Sequence, residues 1–477
     1  MRNPTQPTPR AGRGEISEER QEKPLSLPRR LTEAYLAALF FLLPLYMHNA
    51  YFDITEAKVG CFALLSALYV LLLPFAELKC PAEGESKPGV WSFMLYIAVS
   101  IAASLLFVGR AALLAAANRY QGVLILALYA LSFLFCARHG SFGRVPRLAA
   151  LSALAVVSLC ALLQSFGFDP LGLWEGIRAA DRGRYLSTIG NVNFLGAYFA
   201  LLLPLCAGLY CEKRVWGLLP LFALSCCALL CGSDGGVLGA LAGLLFLYGL
   251  VSGERESHRA FGLLLTIMGL SLCLYALALK RFGLLTLSGV GSVLAAPATS
   301  LPLAALGLLL WFRGSALRRP WLPLLTLTAA AVLALLLCNC FPAKVPAALR
   351  SVLVFSRHWG SDRGAIWLHA LALYRSFSPV QKLIGGGSGC LAAYDRAHRL
   401  FPDAIVDCAH NEYLQMLLTG GLLGLGAYLT TLVSALKTGA KKQPALAAAV
   451  FGCAVQAAVN IAQCATTPLL LTLIALL

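Results

Sequence analysis

Long runs of apolar residues alternate with short polar segments along almost the whole chain. An α-helix needs about 20 apolar residues to cross a hydrocarbon core of roughly 30 Å, and most of these runs approach that length. They lack the period-two alternation that the strands of a membrane β-barrel show. We therefore predict an all-α, polytopic membrane protein with about 12–14 transmembrane helices. The candidate spans are 31–50, 57–75, 90–108, 121–137, 147–167, 191–211, 215–231, 235–252, 260–279, 293–312, 321–341, 412–436, 444–463 and 466–477, the last being shorter than a full crossing.

The composition excludes an ordinary soluble domain. Of the 477 residues, 59% are hydrophobic and only 13% are charged, whereas soluble domains have roughly 25% charged residues. The 16 cysteines lie mostly within the apolar runs, and no C-x-x-C pair occurs. Neither a zinc site nor a disulfide framework is therefore indicated.

Positively charged residues in the short loops predict the orientation. Residues 1–30 are polar, rich in Pro and Arg, and lack a cleavable signal sequence, so we expect a disordered basic cytoplasmic tail. Loops on the side of that tail carry the excess of Lys and Arg that is typical of the cytoplasmic face. Their basic residues are Arg138, Arg144, Arg147, Lys213, Arg214, Arg255, Arg259, Arg313, Arg318, Arg319, Lys437, Lys441 and Lys442. We expect a multi-pass protein of the bacterial cytoplasmic (inner) membrane.

Two long segments lie on the opposite, extracytoplasmic side in this topology. One is an outer loop near 168–190, within a transmembrane bundle over 31–341. The other is a large loop over 342–411, which precedes C-terminal transmembrane helices over 412–477. The large loop has eight cationic residues against four acidic ones, which suggests an anionic partner: membrane lipid headgroups or a lipid-linked phosphate. The net charge of +16 is shared between both faces, so no nucleic-acid partner follows.

The large loop contains a segment with the pattern of a short amphipathic helix. From Arg363 to Arg375, helical spacing gathers the apolar residues on one face and leaves an arginine at each end. Arg363 could present its guanidinium to a phosphate at the bilayer surface. The alternative is an interfacial anchor with arginines that reach toward the headgroups. The face consists of Ile366, Trp367, Ala370, Leu373 and Tyr374.

A glycine-rich segment, Gly385–Gly389, follows that helix. It lacks the Gly-Lys-Ser/Thr ending of a P-loop and follows no predicted strand, so nucleotide binding is not expected. We interpret it as a turn that lets the backbone approach a ligand or a neighbouring helix.

Polar residues also stand where the outer loops meet the following spans. His410 precedes Asn411 and Glu412 at the start of a span, and a histidine can accept a proton near neutral pH, as a general base must. The alternative is an interfacial helix cap. In the first outer loop, Arg182 and Arg184 precede Asn191 and Asn193, which could cap the following span. This cationic pair could face the same outer pocket as Arg363.

Together, these segments resemble the superfamily of bacterial O-antigen ligases and O-antigen polymerases. The resemblance runs from about 180 to 464, and the spacing from His410 to Gly421 also matches the ligase pattern. The motifs are, in chain order, Gly190-Asn191-Val192-Asn193-Phe194, Arg363-x3-Trp367, Gly385-Gly-Gly-Ser-Gly389, Ala409-His410-Asn411-Glu-Tyr-Leu-Gln415 and Gly421-Leu-Leu-Gly424.

The resemblance implies a type C glycosyltransferase fold. Such a protein transfers a glycan from an undecaprenyl-pyrophosphate carrier to a hydroxyl of a lipid, glycan or protein acceptor, outside the cytoplasmic membrane. By position, Arg363 would hold the donor pyrophosphate and His410 would assist the acceptor hydroxyl. Arg184, Arg182 and Asn411 would be further substrate contacts. The resemblance implies no cofactor, nucleotide sugar or metal at the transfer step.

The chain departs from the family pattern at three positions. Val192 replaces the usual Pro, Trp367 stands where Leu is frequent, and Asp234 stands where the family often has Arg. The motifs do not separate a ligase from a polymerase, which extends a lipid-linked chain. The alternative from another class is a transporter or flippase, for which charged residues near the midplane of the membrane are typical. The polar residues of this chain are concentrated in the outer loops instead, which favours the enzyme.

Overall fold

The computed structural model describes residues 25–79, 87, 89–115, 119–287, 289–313, 321–346, 350, 353–398 and 406–477. Among these residues the fold is α-helical, with a single antiparallel pair of two-residue strands, β1 (Tyr185–Leu186) and β2 (Gly190–Asn191), in which Leu186 lies opposite Gly190. The α-helices are α1 (Leu27–Leu45), α2 (Ile54–Lys79), α3 (Val90–Phe107), α4 (Val123–His139), α5 (Arg144–Ser165), α6 (Val192–Lys213), α7 (Leu218–Leu229), α8 (Asp234–Val251), α9 (Arg255–Phe282), α10 (Gly289–Ala295), α11 (Pro297–Arg313), α12 (Trp321–Cys340), α13 (Trp359–Ser376), α14 (Pro379–Ile384), α15 (Cys390–His398), α16 (Glu412–Lys442), α17 (Pro444–Ala457) and α18 (Thr467–Leu476).

Several of these helices are suited to cross a membrane. Within the described residues, seven are long and apolar enough: α2, α3, α5, α6, α8, α9 and α16. α10 and α11 form an eighth candidate, bent by 58° where Pro297 interrupts the helix. α4, α7, α17, α18 and part of α12 are apolar but shorter. The protein is therefore an all-α, multi-pass membrane protein.

Contacts between loops define two ends of the helix bundle. At one end, which we call the basic end, Ser141 donates to Glu33, and Arg138 and His139 both contact Glu77. Arg214 donates to Ser257, and the Ala445 N–H donates to Glu212. The α6–α7, α8–α9 and α16–α17 loops therefore lie at the same end. These contacts place the described parts of the short loops, with their basic residues, at one end of the bundle.

The described residues of the long segments 168–190 and 342–411 lie at the other end, which we call the loop end, where Arg119 contacts Asp407 and the Ser388 N–H donates to Ser104. Here Tyr51 donates to Ser187 O, Gln121 contacts Cys464, and Asn460 donates to Asn193 O. The first of these hydrogen bonds joins the α1–α2 loop to the segment 168–190, and the other two join the starts of α4 and α6 to the segment between α17 and α18. The candidate functional residues of both long segments are consequently at one end of the bundle.

α6 forms the centre of the fold. Every residue from Phe194 to Cys211 is buried, and α6 packs against α7, α8, α9 and α17. Glycines permit this close packing: a Cβ on Gly236 would lie 2.4 Å from the Cα of Gly196, and one on Gly208 would lie 2.5 Å from the Cα of Ala445.

Two boundaries and the helix content of one loop differ from the sequence prediction. The tail predicted to reach residue 30 ends earlier, because α1 begins at Leu27 with Pro28 in its first turn, where the missing N–H of proline costs nothing; residues 1–24 are outside the described part. The predicted large loop over 342–411 contains α13, α14 and α15, more helix than expected.

The third difference is the predicted span 444–463, in which α17 ends at Ala457. The following backbone is held by side chains instead of helical hydrogen bonds: Asn460 donates to Asn193 O, and Gln463 accepts from the Ala465 N–H at 2.8 Å. Such pairing allows a non-helical segment to be buried within a membrane protein.

Candidate functional site

Helix α13 brings Arg363 to His410. Residues 360–362 have φ angles between +59° and +66°, so regular helix begins at Arg363. The buried face of α13 packs in a small apolar cluster of the large loop, which includes the residue just before His410. The members of this cluster are Ala370, Leu373, Phe377, Leu391, Ala409 and Leu418.

The glycine-rich segment fits into a break in α16. Gly421 adopts φ +65° and ψ −166°, which interrupts the helix and leaves carbonyl groups without helical partners. The N–H groups of Gly386 and Gly387 donate to the Leu418 and Thr419 carbonyls at 2.8 and 3.2 Å. A Cβ on Gly385 would lie 2.2 Å from the Thr419 oxygen. The sequence predicts that this turn approaches either a ligand or a neighbouring helix. The described contacts are with a helix, α16.

The backbone around His410 is fixed by hydrogen bonds on both sides. His410 itself is half-buried and adopts the left-handed conformation, with φ +48°. Asn411 accepts from the Leu414 N–H at 3.0 Å and so caps α16, and Gln415 accepts from the Ala409 N–H at 2.9 Å. The capping role considered for this segment is confirmed for Asn411, and in the other loop for Asn191, which accepts from the Asn193 N–H.

The surroundings of His410 keep its imidazole neutral. Its pKa is lowered to about 4, with burial as the largest cause and the guanidinium groups of Arg363 and Arg119 as further causes. The carboxylate of Asp407 acts in the opposite direction. At neutral pH the ring is therefore unprotonated and able to accept a proton.

Arg119 is a member of this site that the motifs did not indicate. Its Nε lies 2.8 Å from an oxygen of Asp407, and its guanidinium lies 5.4 Å from the centre of the Phe194 ring. Arg119 belongs to the short loop between α3 and α4 at the loop end. The topology predicted from the sequence expects few cations in the short loops away from the basic end, so a cation in this loop was the signal available in the sequence.

Three buried donors on α13 and in the first turn of α16 have no acceptor among the described residues. They are the Nε of Arg363, the Nε1 of Trp367, one turn further along α13, and the Nε2 of Gln415. A buried donor without a partner costs about 1–3 kcal/mol, more if it is charged. A ligand rich in acceptor oxygens would remove that cost.

Asp407, Cys408 and His410 could together hold a metal ion, because their ligand atoms all lie within 4.8 Å of one another. Their surroundings oppose this. Burial raises the pKa of the Cys408 thiol well above its usual range, whereas metal binding requires the thiolate. Asp407 is paired with Arg119, and two guanidinium groups are close. The electrostatics therefore favour an anion over a cation.

A small cavity of about 50 Å³ adjoins the site. Arg119, Cys408, Glu412 and Gln415 contribute to its wall, and Glu412 is only 7% exposed. That volume is sufficient for one or two water molecules. Water held there would solvate the Glu412 carboxyl group.

Arg182 and Arg184 occupy a different place. Arg184 is 75% exposed and lies 3.3 Å from Asp181, whereas Arg182 lies over the Trp174 ring and lines a second cavity of about 490 Å³. Within the described part of the chain, no contact joins either arginine to Arg363 or His410. The first turn of α6 lies between the two places, with Val192 in the wall of the second cavity and Phe194 beside Arg119.

Comparison of the chain with protein-family models, with curated proteins and with solved structures finds no match.

Proposed function

We propose that this protein is a membrane glycosyltransferase of the O-antigen ligase type. It would transfer a glycan from an undecaprenyl-pyrophosphate carrier to an acceptor hydroxyl. One observation carries this proposal: Arg363 and Arg119 flank a neutral, half-buried His410, among buried donors that lack acceptors. Such a site is suited to a diphosphate next to a group that must lose a proton.

In this proposal the chain crosses the bacterial inner membrane about 12–14 times in a type C glycosyltransferase fold. The basic end is cytoplasmic, and the loop end, with residues 342–411, is extracytoplasmic. The described basic residues gathered at one end support this orientation.

On the donor side, the protein must stabilise the charge of the departing diphosphate. Undecaprenyl pyrophosphate is already a good leaving group, so positioned cations supply most of what is needed. Arg363 can form paired hydrogen bonds with phosphate oxygens, as guanidinium groups commonly do. Arg119, held by Asp407, adds positive charge from a fixed position.

On the acceptor side, His410 takes the proton of the attacking hydroxyl. The acceptor oxygen forms a bond to the anomeric carbon of the donor glycan while the bond from that carbon to the pyrophosphate oxygen breaks. Bound diphosphate would compensate the charge of Arg363, which is one cause of the low pKa of His410. Binding of the glycan donor would thereby raise the pKa of the His410 imidazole before it takes the proton of the acceptor hydroxyl.

The same geometry serves a polymerase, in which the acceptor is a growing lipid-linked chain, so this remains the second candidate. A transporter or flippase is less well supported. The described charged cluster lies at one end of the bundle, where surface chemistry takes place, and a translocation path would require polar groups near its middle.

The proposal is tested by incubating the purified protein with an undecaprenyl-pyrophosphate-linked oligosaccharide and lipid or glycan acceptors. We expect transfer by the wild type and a loss of about 10²–10⁴-fold in His410→Ala, the usual contribution of a general base. Arg363→Ala should impair donor use far more than Arg363→Lys, which keeps the charge.

Arg178→Gln provides the control, since this arginine is 86% exposed and lies in the other long segment. Full activity of His410→Ala would remove the assigned base. Equal losses in both Arg363 variants would contradict a role in charge neutralisation.

A further inference from the structure

The second cavity, which Arg182 lines, has a mixed wall at the loop end of the bundle. Its volume of about 490 Å³ is within the range of small-molecule sites. Arg182, Ser233, Asp234 and Thr286 provide polar groups on its wall. The remainder of the wall is largely apolar and includes Leu230, Leu279, Leu284, Leu285 and Leu287.

Two features hold the polar groups in position. The Val290 N–H donates to Asp234 Oδ1 at 2.8 Å, which fixes the carboxylate at the start of α8. The guanidinium of Arg182 lies 5.6 Å from the centre of the Trp174 ring, and its buried Nε has no partner among the described residues. The cavity thus has a fixed hydrogen-bond acceptor, the Asp234 carboxylate, and a hydrogen-bond donor, Arg182, whose Nε lacks a described partner.

The charge of this cavity differs from that of the His410 site. The described residues of its wall include one cation, Arg182, and one anion, Asp234, so their charges cancel. Around His410, the guanidinium groups of Arg363 and Arg119 lie near the carboxylate of Asp407, and the buried Glu412 lines the adjoining cavity. A diphosphate is therefore favoured beside His410 and disfavoured beside Asp234, whose carboxylate would repel it.

We propose that this cavity binds the acceptor, as an amphipathic ligand with a neutral sugar group, and this rests on the proposed function. Sugar hydroxyl groups both donate and accept, so they match a carboxylate and a guanidinium side by side. The leucines would contact the apolar part of the same molecule. Arg182 is then an acceptor contact and not a second contact to the pyrophosphate.

The position of the cavity suits this role. Val192, in its wall, and Phe194, beside Arg119, are two residues apart in the first turn of α6. The cavity wall and the Arg119 guanidinium therefore lie on two sides of this helix, whose diameter is roughly 10 Å. An acceptor held on one side could extend a hydroxyl group around that turn to the imidazole on the other.

The first test is kinetic. In the transfer assay, Asp234→Asn and Arg182→Gln should each raise the KM for the acceptor about tenfold, the loss of one hydrogen bond to a charged group, and leave the KM for the donor unchanged. Arg178→Gln is the matched control. A rise in the donor KM alone, or no change in either, would overturn the proposal.

The second test needs no turnover. A photoreactive neutral alkyl maltoside should label the cavity wall of the wild-type protein, and Asp234→Asn should reduce that labelling. Undecaprenyl pyrophosphate should compete poorly. Equal labelling of the variant, or strong competition by the diphosphate, would refute the acceptor site. Labelling as expected without transfer from any donor would instead refute the proposed function.

Discussion

At the scale of single residues, the pKa of His410 depends on its neighbours. Arg363 is the charged group that lowers it most, after burial. Arg363→Gln removes that charge, so the pKa of His410 should rise from about 4 toward its ordinary value near 6.5. The pH dependence of imidazole modification by diethyl pyrocarbonate measures this, with His410→Gln to identify the signal. An unchanged or lower pKa would show that Arg363 does not act on the ring.

The same pKa predicts how stability depends on pH. The folded pKa of His410, about 4, lies below the unfolded value near 6.5, so between these pH values the unfolded chain binds more protons. The contribution of His410 to stability is therefore complete above pH 6.5 and is lost as the pH falls toward 4. Thermal unfolding in detergent should show a steeper loss over this window in the wild type than in His410→Gln. Parallel curves would contradict the assignment.

Candidate site residues that lie within a motif could be predicted from the sequence, whereas those outside a motif could not. Arg363 and His410 belong to an ordered motif series, and the structure brings them together. Arg119 belongs to no motif, and it reaches the site only because the α3–α4 loop folds beside Asp407, 288 positions later in the chain. Arg182 and Arg184 follow one another closely in sequence, yet Arg182 lines the second cavity whereas Arg184 is 75% exposed.

At the scale of elements, the junction between the glycine-rich segment and α16 connects the large loop to the membrane helices. Gly385→Ala would place a Cβ 2.2 Å from the Thr419 oxygen at a residue with φ +89°. We expect a loss of at least about 1–3 kcal/mol in stability and a lower Tm in detergent. Activity should fall as well, because this junction helps to position α13.

Gly426→Ala is the control for this prediction. Gly426 lies within the same helix, α16, with nothing within 4 Å of an added Cβ. Alanine there should be neutral or stabilise by up to about 1 kcal/mol, since it favours helix. Similar Tm values for the two variants would show that the junction has little influence.

Element boundaries were less predictable than the elements. Hydrophobic length predicted most helices, because burial or lipid contact favours any apolar run of that size. It did not predict the end of α17 at Ala457, since Asn460 and Gln463 replace helical hydrogen bonds through contacts with distant residues. A turn near Gly385 could be inferred, but not its partner at Gly421, because that pairing is a tertiary contact.

At the scale of the whole molecule, the two ends of the bundle must face opposite sides of the membrane. Ser141, at the basic end, and Glu175, at the loop end, are both exposed. In a Cys340→Ala background, Glu175→Cys should react with a membrane-impermeant maleimide from outside intact cells. Ser141→Cys should react only after the membrane is made permeable. The reverse pattern would invert the topology and remove the proposed function.

The burial of α6 has a consequence for sequence variation. A helix such as α2, of which 28% of the apolar window is buried, should accept apolar replacements on its lipid-facing side. In α6 the corresponding window is buried throughout. A larger side chain would therefore collide with a neighbouring residue on any side of this helix. Saturation mutagenesis should therefore show tolerance recurring every three to four positions along α2, and uniform intolerance to larger side chains from Phe194 to Cys211.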